Sequence, residues 1–216
     1  PSTSADLPEP FPLRAEKTPY VVVSPSALPV ETAVPAAEEG KRRSPEGSAL
    51  AARGTVTHRI LNRAICGASA PARVSVEKAL ISEGVPVESS SDMADDILKE
   101  VAGVLRDPMI SRFLLEDTPV LRSEWAIEDS EDGQGIRSGI LDLVVFDGTS
   151  WWIIDFKTSR PSDENLETFA QRQKDLYRPQ LEAYRSMLGR ARGVREEKIR
   201  AGIYLTAIKK WCEIGK

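Results

Sequence analysis

Two apolar stretches lie on either side of a four-residue turn, and each carries a carboxylate. They are Gly139-Ile140-Leu141-Asp142-Leu143-Val144-Val145 and Trp151-Trp152-Ile153-Ile154-Asp155-Phe156-Lys157-Thr158. Asp147-Gly148-Thr149-Ser150 between them has the composition of a hairpin turn, which predicts neighbouring strands of one sheet. Such a hairpin dictates the rest of the fold, because its apolar side chains need cover and its charges need partners. A lone ionised carboxylate on an apolar strand costs several kcal/mol unless something pairs it.

Side chains alternate along a strand, so Asp155 and Lys157 share a face while Ile154 and Phe156 take the other. A tight turn brings Asp142 near Asp155, and two carboxylates that close repel unless a cation sits between them. A divalent ion with oxygen ligands, Mg2+ first among them, answers that need and keeps waters suited to phosphodiester cleavage. The backbone carbonyl of Phe156 is a further candidate ligand. Lys157 would orient or deprotonate the attacking water, or neutralise charge on the phosphate. The plainer alternative is an Asp155–Lys157 ion pair at a strand end. Gly-x-x-Asp on the preceding strand, Gly139 to Asp142, turns the reading toward a metal site.

Other residues join this set with alternatives open. His58 is the sole histidine. It shares a helix face with Leu61 and Ile65, and is either a hydrogen-bonded histidine at the core edge or a nitrogen ligand that would favour Mn2+. Glu124, in Arg122-Ser123-Glu124-Trp125, is either an exposed strand residue or part of the metal shell. Tyr177, Gln180 and Tyr184 fall on one helix face. Gln180 and Tyr184 are placed to hold a phosphate or stack a base, whereas Tyr177 is equally a packing residue. Trp151 and Trp152 are read as packing.

Composition sets outer bounds. The 216 residues, 41% hydrophobic and 29% charged, suffice for one soluble domain with its own core. No apolar run reaches membrane-spanning length and no signal peptide is visible, so no membrane partner is expected. Cys66 and Cys212 are too few for the four thiolates of an iron–sulfur cluster, and no such cluster is expected. They make no disulfide scaffold either, which points to a reducing cytoplasm. A net charge of −4 argues against broad adhesion to nucleic acid, but not against cutting a strand delivered by something else. A local basic cluster remains at Arg190, Arg192, Arg195, Lys198 and Arg200. Gly-x-x-x-x-Gly-Lys does not occur, so no nucleotide-cradling loop of that type is present.

Nine of the fifteen prolines lie in the first fifty residues, which read as a linker or arm. The expected division is a largely irregular arm at 1–52 and one domain at 53–216. The proline at position 1 suggests a piece of a longer protein. Tyr20-Val21-Val22-Val23-Ser24 has strand composition and is expected to dock on a neighbouring domain. Thr55 or Thr57 is the expected cap of a first helix starting near Gly54, followed by a helix from Asp92 to Leu105 that Asp107-Pro108 breaks. A short helical piece through Ile110 and Phe113 follows. Strands are expected at 120–127, 139–146 and 151–158, then a helix at 176–188 with Pro179 in its first turn, then a strand at 200–207. This order is a mixed α/β domain.

These pieces resemble the PD-(D/E)XK nuclease superfamily, specifically the RecB-like nuclease domain at the C-terminus of UvrD-type helicase-nucleases. The resemblance rests on Arg53-Gly54-Thr55-Val56-Thr57-His58, Gly139-Ile140-Leu141-Asp142, Asp155-Phe156-Lys157-Thr158 and Tyr177-Arg178-Pro179-Gln180-Leu181-Glu182-Ala183-Tyr184, in that order. It covers residue 53 to the end. Leu141-Asp142 replaces the superfamily's nominal proline-aspartate, as RecB-like members commonly do. The resemblance implies a restriction-endonuclease-like α/β core, a central mixed β-sheet flanked by helices. It implies Mg2+- or Mn2+-dependent hydrolysis of DNA within double-strand-break repair and recombination. His58, Asp142 and Asp155 would be metal ligands, Lys157 the catalytic lysine, and Gln180 and Tyr184 the following motif. Its partners would be DNA, as a single strand fed by a helicase motor of the same polypeptide, and another protein of the same complex. Two other readings stand beside it, a catalytically silent DNA-binding or scaffold module and a stand-alone phage-type exonuclease. Retention of Asp142, Asp155 and Lys157 together favours activity.

Overall fold

The expected hairpin forms the middle of the sheet in this computed structural model, which describes residues 22–23, 45–114, 118–131 and 135–215. Strands β3 (Gly135–Phe146) and β4 (Trp151–Lys157) pair antiparallel from Phe146↔Trp151 to Leu143↔Ile154. The Asp147 carboxylate closes the turn by accepting the amides of Thr149 and Ser150 at 2.9 and 2.8 Å. Gly148 takes the left-handed conformation there (φ 94°), which a side chain would strain.

Strand β2 (Val120–Glu131) runs antiparallel along the whole of β3. On the far side of β4 lie β5 (Ile199–Leu205), parallel to it, and β6 (Lys210–Glu213), antiparallel to β5. Strand β1 (Val22–Val23) pairs in parallel with Ile136 and Arg137 of β3. Because β2 fills one edge of β3, β1 and β4 must share the other. Residues 138–142 on that edge therefore lie between two partners and pair with neither.

Helices α1 (Pro45–Ile65), α2 (Arg73–Ser82), α3 (Val87–Arg106) and α4 (Pro108–Leu114) cover one face. Val56, Ile60 and Leu61 of α1 and Ile97, Val101 and Val104 of α3 pack there on Leu143, Trp152, Ile154 and Phe156. The other face is covered by α5 (Leu166–Arg192), whose Phe169, Leu181, Met187 and Leu188 pack on Val144, Ile153 and Ile203. The result is an α/β domain with a mixed sheet between helices, as expected.

Several boundaries differ from expectation. Helix α1 begins at Pro45. Thr55 and Thr57 lie inside it, their hydroxyls bonded back to the carbonyls of Ala51 and Arg53 rather than capping an end. Helix α5 begins ten residues before the expected Leu176, with Asn165 as its cap. It runs through Pro179 although an interior proline costs about 3 kcal/mol, because both halves bury apolar side chains on the same sheet. Helix α2 and strand β6 were not expected. Only Val76 and Leu80 of α2 are buried, too few for a visible stripe. Val22–Val23 pair with this domain's own sheet rather than a neighbour's, and the rest of that patch lies outside the described residues. Gly202 permits β6 to close on β5, since a Cβ there would meet the Cys212 carbonyl at 2.5 Å. Among the described residues no helix is long and apolar enough to cross a membrane, and both cysteines are free thiols.

Candidate active site

The site lies where β3 and β4 part. Beyond Leu143↔Ile154 the strands no longer pair, and the amide of Phe156 goes to the Asp142 carboxylate at 2.8 Å instead of to β3 backbone. That side-chain bond satisfies a donor the splayed sheet would leave orphaned. In an extended strand the carbonyl and amide of one residue point to the same edge, so the Phe156 carbonyl faces the same gap.

The alternation of β3 also inverts here. Leu143 packs in the α1–α3 core, whereas Leu141, two residues away, packs in the α5 core. Residues two apart on a regular strand share a face. Across from the inversion sits Glu124, in the unpaired position opposite Asp142 and with φ 47°, a left-handed conformation uncommon for a residue with a side chain. The kink lets one site draw on both faces of the sheet. His58 comes from α1 on one side and Tyr177 from α5 on the other.

Asp155 is only 4% exposed. Burial, reinforced by the nearby Asp142 carboxylate, pushes its pKa up to about 6 against the opposing pull of Lys157 and His58. The Lys157 ammonium lies 2.7 Å from Asp155 Oδ2 and 4.1 Å from the centre of the Tyr177 ring. Burial works against its charge, but Asp155 and the surrounding groups outweigh this and hold its pKa above the usual lysine range. His58 Nδ1 is 3.5 Å from Asp142 Oδ2, so the imidazole faces the site. Its burial is likewise outweighed by Asp142, which raises its pKa. Glu124 lines an open cleft of about 510 Å³ with Gly54, Thr55, His58 and Arg59.

Asp142, Asp155, Lys157, His58, Phe156 and Tyr177 are thus brought together, and Glu124 stands at the cleft beside His58. Gln180 and Tyr184 bond to each other at 3.3 Å, one to two turns along α5 from Tyr177. Tyr184 is buried in the α5 core, so its ring is packed rather than free to stack a base. Three of the five residues of the basic cluster are engaged internally. Arg190 pairs with Asp129, Arg192 stacks over Trp125 at 4.5 Å, and Arg200 pairs with Glu213.

The donor set suits a hard divalent ion: two carboxylates, one imidazole and a main-chain carbonyl around a gap. Among the described residues, however, no three acidic, histidine or cysteine side chains converge as a ready-made cage. Asp155 turns an oxygen to Lys157, so an incoming ion competes with that ammonium. The sequence pattern did not reveal the buried carboxylate behind the site. Glu100 of α3 takes Arg53 of α1, Arg160 after β4 and Thr206 after β5 as partners. Each lies far from the others in the chain, and no short-range signal joins them.

The profile of the PD-(D/E)XK nuclease superfamily matches residues 36–213. An ATP-dependent helicase/nuclease of Natranaerobius thermophilus is 29% identical, in one of its chains, over 58 residues, which make up 27% of this chain. The match spans only 4% of the length of that relative.

Proposed function

The chain belongs to the PD-(D/E)XK nuclease superfamily, and from that premise we propose that it is the metal-dependent deoxyribonuclease domain of a helicase-nuclease, hydrolysing phosphodiester bonds in a DNA strand. The observation that carries this reading is the meeting of Asp142, Asp155, Lys157 and His58 where the sheet opens. His58, Asp142, Asp155 and the Phe156 carbonyl would hold Mg2+ or Mn2+, which when bound supplies a water of lowered pKa and charge neutralisation at the phosphate. Lys157, beside Asp155 and the Tyr177 ring, is a cation and hydrogen-bond donor placed to neutralise charge on the phosphate or to orient the attacking water. Tyr177 holds that ammonium against α5 and limits where it can point. Asp142 keeps the Phe156 amide turned into the gap, which holds the strand end open. Glu124, at the cleft wall, is proposed to contact the metal shell.

The helicase/nuclease relative supports a motor in the same polypeptide and a further protein in the complex. The net negative charge fits a domain to which DNA is handed. The setting would be double-strand-break repair, and the proline-rich segment ahead of α1 the tether to the motor. A second reading, a catalytically silent DNA-binding module, draws on the closed Asp155–Lys157 pair and the lack of a ready-made cage among the described residues. Cleavage of labelled single- and double-stranded DNA in Mg2+, Mn2+ and EDTA separates the two. Metal-dependent cutting that Lys157→Ala removes supports the nuclease. No cutting, with no calorimetric metal binding at Asp142 and Asp155, supports the silent module.

A further inference from the structure

Glu100 is buried on α3, outside the metal-facing set, and both of its oxygens are used. Oε2 accepts from Arg53 near the middle of α1 and, at 3.1 Å, from Arg160 in the loop after β4. Oε1 accepts from the Thr206 hydroxyl just beyond β5. Thr206 in turn gives its amide to the Lys157 carbonyl at 3.0 Å. The same helix α1 lies tight against the residue after Lys157, since a Cβ at Gly54 would stand 3.2 Å from Thr158 Oγ1. One carboxylate therefore ties α1, which carries His58, to the strand end that carries Asp155 and Lys157.

A buried ion pair is a poor device for stability alone, because well-packed apolar residues of like volume often do as well. What a charged fork of hydrogen bonds adds is direction. None of the bonds of Glu100 among the described residues reaches His58, Asp142 or Asp155. Any influence on them passes through the backbone of α1 and β4.

We propose that Glu100 is a positioning residue, whose bonds to Arg53 and Thr206 set the distance between His58 on α1 and the Asp155–Lys157 end of β4. This rests on the nuclease reading for its catalytic consequence, but not for its structural one. Misplacing reacting groups by about 1 Å can cost roughly a hundredfold in rate.

The test uses the whole chain, E100Q, and the double variant R53M/E100L, which removes both charges and keeps apolar volume. Three readouts are taken: kcat and KM on labelled single-stranded DNA, the melting temperature, and the imidazole NMR signals of metal-free protein. His58 is the sole histidine, so those signals are unambiguous. E100Q is expected to lower kcat about tenfold or more with KM within about twofold, and to move the His58 signals. The double variant is expected to recover melting temperature but not kcat, and its His58 signals to stay displaced. Recovery of kcat along with stability, or unmoved His58 signals in a folded variant, would overturn the proposal. A wild-type chain that cuts no DNA defeats the nuclease reading instead, and the His58 signals still decide the role of Glu100.

Discussion

One hairpin holds an aspartate near each end, and the two are in opposite states. At the turn, Asp147 accepts the amides of Thr149 and Ser150 and the Trp152 indole at 2.6 Å. Its slight burial works against the charge, but these donors hold its carboxyl below the usual range. At the open end, Asp155 is buried beside a second carboxylate and sits at about 6. A carboxylate whose lone pairs are taken by N–H groups is a structural part. One that faces another carboxylate, with a lysine as its counter-ion, holds charge that a further cation can claim.

Four experiments probe that contrast. The largest effect is expected at the open end, where Asp155→Ala and Lys157→Ala should each lower cleavage on the order of 10³-fold or more. Far-UV circular dichroism should be unchanged, and substantial residual cutting by either variant would dissolve the distinction between the two ends. At the turn, Asp147→Ala should instead cost about 0.5–1.5 kcal/mol in a urea titration by removing the acceptor of two exposed turn amides and of the Trp152 indole, whose bond is half-buried, with cleavage retained. If cleavage collapsed there too, both ends would be functional.

Next comes His58→Ala, which should raise the half-saturating metal concentration roughly 10–100-fold. An unchanged metal titration would make His58 a bystander to Asp142. The smallest effect is in pH. Metal-free, Asp155 has a folded pKa of about 6 against 3.8 unfolded, so the folded chain holds its proton more readily. Its contribution to stability is full below the unfolded value and is lost as pH rises through about 6. Bound metal requires the ionised form, so metal affinity should fall by up to about tenfold over the pH unit below 6. Thermal denaturation against pH, with and without Mg2+ and with Asp155→Asn as control, reads both signs. Parallel curves would show that Asp155 does not bind the ion.

The hairpin, its turn and the shared face of Asp155 and Lys157 were legible because all three depend on neighbours within a few residues. The long amphipathic helix α3 was legible for the same reason. Helix α5 is longer than its pattern suggests because Pro179 is a local breaker, and only burial of Phe169 and Ala170 on the sheet shows that the helix begins before it. Spacing from Leu61 and Ile65 puts His58 on the core side. There its ring meets Asp142, a residue no helical periodicity refers to. The inversion of β3 at Asp142 had no local signal, since Gly139 to Phe146 reads as one uninterrupted strand.

The order of residues alone settles the chemistry on offer: two carboxylates, a lysine and a histidine, on elements whose periods are short-range properties. How those groups meet was settled by packing. The splay of β3 from β4, the left-handed kink at Glu124 and the Glu100 hub each bring together residues distant in the chain. Only packing on both faces of a sheet can select such contacts, because their energy is realised when the separate elements are already in place.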